Sequence, residues 1–185
     1  MPDDQTVRYM IHPSAESTFT LEVFKTGLLA SKKHMLFFEE YEGEIDYNQQ
    51  QPESSRVRLT VEARSVTCKD NWVKPEQRKE IAAFALKDMM AAGDHPQLSF
   101  VSSRIVSKSK GQFEIQGDLT IRGVAKPVIL QAAVKPVGDS KIEIDGDAQI
   151  RLTDYGLKPP ARFAGLVGTK DQMLLRFLVW AEKVD

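Results

Sequence analysis

Alternation of apolar and polar side chains is the feature that most constrains this chain. From Gln112 to Arg122 the apolar positions are Phe113, Ile115, Leu119 and Ile121, with Gly117 in step, and polar residues fill every place between. Successive side chains of a strand point to opposite faces, so such a segment has one dry face and one wet face. The same pattern runs through Phe19, Leu21 and Val23, through Val57, Leu59, Val61 and Ala63, and through Ile142, Ile144, Gly146, Ala148, Ile150 and Leu152. Residues 34–47 alternate at both ends, but the run Met35-Leu-Phe-Phe breaks the phase and predicts a β-bulge near Glu39-Glu40. Residues 126–135 and 172–181 carry apolar side chains on both faces. The second of these predicts a strand whose outer side lies under a helix or a neighbouring molecule.

One helix is predicted, over about residues 75–92. Pro75 suits a first turn, and Glu76 favours the same end of the helix dipole. Ile81, Phe84, Ala85, Met89 and Ala92 recur at helical spacing, and Gly93 followed by Pro96 supplies a stop signal. Turn residues at Gln51-Pro-Glu, Lys110-Gly, Val137-Gly-Asp-Ser and Lys158-Pro-Pro separate the strands. Short turns and a single helix leave little room for crossovers, so the strands are expected to be antiparallel. About eight one-sided strands must bury their dry faces. A closed barrel does this without leaving exposed edges, and a sandwich is the other solution. The fold class is therefore all-β dominated: an eight-stranded antiparallel barrel with one flanking helix, one domain over 1–185 with its core at about 9–181. Gly43, Gly117 and Gly146 fall on the inner faces, where a bend that closes the barrel is the expected reason for them.

Composition narrows the function classes. The net charge of -1 gives no basic excess of the kind that nucleic-acid binding requires. No apolar stretch approaches the roughly 20 residues of a membrane-spanning helix, so no stable membrane insertion is expected. The single cysteine, Cys68, allows no internal disulfide. The polar start Met1-Pro-Asp-Asp lacks a secretory pattern, and a cytoplasmic location is the expectation.

Chemistry-bearing motifs are sparse. His12, His34 and His95 lie too far apart for a local zinc motif, His34 is expected at the exposed end of its strand, and no metal site is predicted. No Gly-x-Ser-x-Gly elbow is present. In Gly165-Leu-Val-Gly-Thr-Lys the hydroxyl residue precedes the lysine, the reverse of a phosphate-binding loop, so a tight turn is expected. Asp145/Asp147 and Glu39/Glu40 sit on wet faces or at the phase break, without a desolvated cleft. Cys68 beside Lys69 is the one candidate nucleophile, with no histidine near it in sequence, and a packed thiol is the expectation. No catalytic residue is assigned.

The order of features carries a resemblance. Ile11-His-Pro-Ser-Ala-Glu-Ser-Thr-Phe-Thr-Leu-Glu-Val, Tyr41-Glu-Gly-Glu-Ile-Asp-Tyr and Ser54-Ser-Arg-Val-Arg-Leu-Thr-Val-Glu-Ala-Arg-Ser-Val come first. The helix follows, then His95-Pro-Gln-Leu-Ser-Phe-Val-Ser-Ser and Phe113-Glu-Ile-Gln-Gly-Asp-Leu-Thr-Ile-Arg-Gly-Val-Ala-Lys-Pro-Val. In this order the chain resembles the YceI-like family of lipocalin-like, polyisoprenoid-binding proteins, over roughly residues 9–181. The resemblance implies an extended barrel with a long internal channel that holds an isoprenoid chain. It places ligand-facing positions at Phe19, Leu21, Val23, Leu59, Val61, Leu98, Phe100, Phe113, Ile115, Leu119, Ile121, Val128 and Leu130, with Phe84 and Met89 of the helix closing one side. Members are often periplasmic. Three departures stand out: the secretory pattern of periplasmic members is not seen, Lys25-Thr-Gly replaces a histidine-glycine, and Leu36 and Phe38 replace a glycine and a phenylalanine, which would narrow the channel mouth.

The expected function is carriage or storage of an isoprenoid or quinone-like lipid, without catalysis or a required cofactor. Arg162, Lys158 and Lys170 are the candidates to meet a head group. The alternative is a small homodimeric interaction protein with a filled barrel, joined through Leu174, Leu178 and Trp180. The third possibility is an enzyme that uses Cys68, which would react fast with alkylating agents near neutral pH.

Overall fold

Each alternating segment is a strand in the computed structural model, which describes residues 6–184; Met1–Gln5 and Asp185 of the anticipated domain lie outside the described residues. The strands are β1 (Thr6–Ile11), β2 (Thr18–Gly27), β3 (Lys33–Phe38), β4 (Tyr41–Asn48), β5 (Arg56–Glu62), β6 (Val66–Cys68), β7 (Gln97–Ser109), β8 (Gln112–Ile121), β9 (Val124–Val137), β10 (Lys141–Arg151) and β11 (Val167–Val184). Every pairing between them is antiparallel.

These segments make eight barrel positions. β1 and β2 both lie antiparallel along β11, β1 at residues 181–184 and β2 at residues 167–178. β4 pairs with β1 while β3 pairs with β2, and β5 pairs with β4 while β6 pairs with β3. The first three barrel strands are thus long strands, each broken once at about the same height. The predicted bulge at Glu39-Glu40 is one of these breaks: the chain leaves the β2–β3 ladder at Phe38 and joins the β1–β4 ladder at Tyr41. From there β7 to β11 run as an up-and-down meander, and β11 closes the ring against β1 and β2. The result is an eight-stranded antiparallel closed barrel with one helix.

The helix is shorter than expected. α1 spans Pro75–Phe84, and the chain then widens into a π turn over Ala85–Met89, in which the Met90 N–H bonds to the Ala85 carbonyl. Ala91, not Gly93, takes the left-handed conformation after it, with φ of 48°. The expected glycine cap is therefore displaced by two residues, because the wide turn uses up the backbone that an α-helix would have spent reaching Gly93.

The interior is not a solid core. Ile11, Phe38, Val61, Phe100, Ile144 and Val179 are buried, yet among the described residues no large side chain is completely buried. Inner-face residues such as Leu21, Val23, Leu59 and Phe113 are only partly buried, because they border open space inside the barrel.

Gly117 and Gly146 have a reason beyond a bend. A Cβ on Gly117 would stand 2.5 Å from Phe100 Cζ, and a Cβ on Gly146 would stand 2.5 Å from Phe177 Cζ. Each glycine leaves a bare patch of sheet that the edge of an aromatic ring approaches, so close approach governs these positions.

Candidate functional site: a through-barrel cavity

The inner faces enclose a cavity of about 1530 Å³. That exceeds the ~300–1,000 Å³ of ordinary small-ligand pockets. Its lining runs from one end of the barrel to the other. The helix end is bounded by Lys25, Leu29, His34, Trp72, Ile81, Phe84, Arg162, Phe163 and Thr169, and the far end by Gln49, Pro52, Ser107, Lys110, Lys135, Asp139 and Lys141. Between them the wall is apolar, built from the rows of alternate residues that each strand turns inward. A filled barrel does not describe this interior.

All fifteen positions named from sequence border the cavity: Phe19, Leu21, Val23, Leu59, Val61, Leu98, Phe100, Phe113, Ile115, Leu119, Ile121, Val128 and Leu130 on strands, and Phe84 and Met89 on and after α1. Phe84 is 40% exposed although it lines the cavity, which places it at the rim rather than in the interior. Sequence reasoning passed over the rest of the wall, notably Ile144 and Ile150 on β10 and Met173, Leu175, Phe177 and Val179 on β11. Their alternation was visible, and placing Leu174, Leu178 and Trp180 on the outer face of β11 already left Met173, Leu175, Phe177 and Val179 as its inner row. Leu36 and Phe38 do line the cavity, but His34 lies closer to the rim than either, so they narrow the middle of the channel and not its mouth. There Phe19 meets Phe38 edge to face at 6.2 Å between centroids and stacks with Phe177 at 6.1 Å.

Polar groups border both ends of the cavity, and those at the helix end are held most closely together. Lys25 Nζ donates to Thr169 Oγ1 at 3.2 Å. Burial pushes the Lys25 ammonium pKa down, and the neighbouring Arg162 guanidinium lowers it further. Among the described residues neither cation has a carboxylate partner. Of the three head-group candidates named from sequence, only Arg162 borders the cavity; Lys158 and Lys170 do not, and Lys25 takes their place. Period-two spacing from Val23 puts Lys25 on the inner face, a signal that was available in the sequence.

His34 is not at an exposed strand end. Its Nδ1 lies 2.7 Å from Asp70 Oδ2, its ring stacks on Trp72 at 5.0 Å, and it borders the cavity. Asp70 is a buried carboxylate that organises this corner. Its Oδ1 accepts the Met35 N–H at 2.9 Å, and its Oδ2 also accepts the Cys68 thiol at 3.2 Å. A carboxylate accepts only, so His34 Nδ1 is the donor in this pair. His34, Cys68 and Asp70 hold their ligand atoms within 4.8 Å of one another, a donor set able to hold a metal ion. As folded, the three satisfy each other by hydrogen bonds. Burial raises the Cys68 pKa to about 11, which disfavours the thiolate that a nucleophile or metal ligand needs.

Comparison with known proteins adds the family. The model of the YceI-like domain matches residues 9–179. The chain belongs to the YceI-like family. Curated relatives are UPF0312 proteins. One from Pseudomonas syringae pv. syringae is 26% identical over 66% of this chain and 63% of its own length, and one from Vibrio cholerae is 28% identical over 65% and 63%. The match thus spans less than two thirds of these relatives. Among solved structures, this YceI-like chain shares its fold with Burkholderia cenocepacia BcnA (TM-score 0.67, 18% identity, 90% of this chain and 96% of that one). It also shares it with a polyisoprenoid-binding domain from Saccharophagus degradans (TM-score 0.65, 10% identity, 95% and 98%).

Proposed function

We propose that this YceI-like protein carries or stores one elongated apolar lipid of the isoprenoid or quinone class, and does so by binding alone. The observation that supports this is the continuous, apolar-walled cavity of about 1530 Å³ running between the two ends of the barrel. A lipid chain leaves water with a gain of about 0.8 kcal/mol per buried CH₂, so a long chain needs few polar contacts. A smooth wall of Leu, Ile, Val and Phe suits an unbranched path for such a chain. The solved Saccharophagus degradans domain of the same fold is described as polyisoprenoid-binding, which favours this ligand class.

A head group belongs, on this proposal, at the helix end, where Lys25, Thr169, Arg162 and His34 border the cavity beside Gln77 and Glu80 of α1. Pockets of this kind use a few polar groups to fix orientation. The two cations without carboxylate partners favour an anionic or strongly accepting group. No cofactor is needed for this role.

Mass spectrometry of an organic extract of freshly purified protein, beside a buffer blank and an unrelated barrel, tests the proposal. A stoichiometric isoprenoid or quinone is the expected result. An empty extract, together with no uptake of added isoprenoid by the folded protein, would overturn it.

A further inference from the structure

Among the described residues the three most exposed large apolar side chains are Leu28, Phe163 and Leu166, at 77%, 74% and 59%. They are neighbours. The Leu28 N–H bonds to the Leu166 carbonyl at 2.9 Å, Gly27 pairs with Val167, and Leu166 N–H bonds back to the Phe163 carbonyl to close a tight turn. Phe163 and Ala164 both hold left-handed backbone, with φ of 54° and 52°, which is unusual for a bulky residue and keeps the phenylalanine at the tip. Isolated apolar residues on a surface are ordinary, but a protruding cluster marks a place of contact.

The charge on the two segments that form this tip is one-sided, and the carboxylate that shares their mouth is Glu80 of α1. Residues 24–34 contain Lys25, Lys32 and Lys33, residues 156–170 contain Lys158, Arg162 and Lys170, and neither segment contains an Asp or Glu. Six cations in two adjoining segments stand out in a chain whose net charge is -1. Lys33 is paired with Glu22; among the described residues the other five have no carboxylate partner. The flanking carboxylates are engaged elsewhere, Asp154 with Arg151 and Asp171 with Thr153. The tip also borders the cavity, since Leu29, Arg162 and Phe163 all line it.

We infer that this rim is a docking surface for an anionic lipid membrane. Leu28, Phe163 and Leu166 enter the headgroup–acyl boundary, and the surrounding lysines and arginine meet the lipid phosphates, the arrangement by which peripheral proteins combine apolar burial with charge attraction. Docked in this way, the helix-end mouth opens onto the bilayer, and a lipid chain passes between membrane and barrel without crossing water. The inference builds on the proposed carrier role but concerns a different face of the molecule, and it fails or stands separately.

The test is co-sedimentation with vesicles of phosphatidylcholine alone and with vesicles that also contain phosphatidylglycerol. Binding to the anionic vesicles is expected to be at least tenfold stronger, and to weaken as salt is raised. Leu28→Ser, Phe163→Ser and Leu166→Ser together should lower it at least tenfold, and Lys32→Glu with Lys170→Glu should do the same. All five positions are on the rim, and unchanged thermal unfolding would show that the barrel is intact. Absence of binding to both vesicle types would overturn the inference, as would binding that neither variant alters. A concentration-dependent mass abolished by the serine variant, without vesicle binding, would also overturn it and make the tip a contact between copies. Uptake of farnesol in vesicle-free solution is measured alongside. Uptake without docking leaves the carrier role and removes the membrane surface, and docking without uptake does the reverse.

Discussion

Asp70 does more than any other single residue to build the helix end of the cavity, because one buried carboxylate satisfies the Met35 amide, the His34 ring and the Cys68 thiol. Asp70→Ala leaves all three donors without that acceptor. A buried group left unsatisfied costs about 1–3 kcal/mol, so urea unfolding should show a loss of at least that size, with Asp70→Asn recovering part of it. Cys68 gives a second prediction. Its pKa of about 11, against an ordinary 9.0, means about a hundredfold less thiolate at pH 8. Iodoacetamide should therefore modify the native protein far more slowly than the urea-unfolded chain, and equal rates would revive the nucleophile. The same shift links to stability. The unfolded thiol ionises before the folded one, so its contribution is intact below pH 9 and is lost as pH rises through about 11. Tyr155, raised to about 12 chiefly by burial, acts in the same direction. None of this corner was legible in the sequence. Cys68 and Asp70 share a face two residues apart, but His34 joins them only because β3 pairs with β6, and no local pattern states that pairing.

Among the elements, the strands were the most readable and the helix end the least. A strand's period of two repeats over many residues and tolerates an error at either end. A helix terminus depends on which single residue leaves the helical region, and here the π turn decides it. Gly93 looked like the cap, but its φ is not positive and a Cβ there would meet nothing within 4 Å. Gly93→Ala should accordingly be neutral or raise stability by up to about 1 kcal/mol, read as an unchanged or higher Tm. A loss comparable to that of removing a left-handed cap glycine would restore Gly93 to that role. Gly146→Ala is expected to behave oppositely. Its Cβ would press on the Phe177 ring and on the Gln131 carbonyl at 2.6 Å, and overpacking of this kind costs about 1–3 kcal/mol. The two glycines look alike in sequence, and only the neighbouring strands distinguish them.

At the scale of the whole molecule, alternation showed that dry faces must meet, but not whether they would touch or stand apart. The gap depends on how strands that share a ring are spaced around it, which is a property of closure and not of any one segment. The same rows of Leu, Ile, Val and Phe could have filled a smaller barrel. Here they line about 1530 Å³ of open space, and that difference makes a prediction about mutation. In a filled core, enlarging an inward side chain costs about 1–3 kcal/mol, because nothing can give way. Leu130 and Ile115 face the cavity as cross-strand neighbours in its apolar middle. Leu130→Trp, or Ile115→Trp, should place the extra ring in open space, with a smaller loss of stability than that. The ring should also obstruct the channel, so uptake of a long polyprenol should fall much more than uptake of farnesol. The paired readout separates the two roles of an inward residue. Lost stability with unchanged uptake would make these positions packing and place the lipid elsewhere, whereas lost length selectivity in a stable protein would show that the lipid chain lies along this wall.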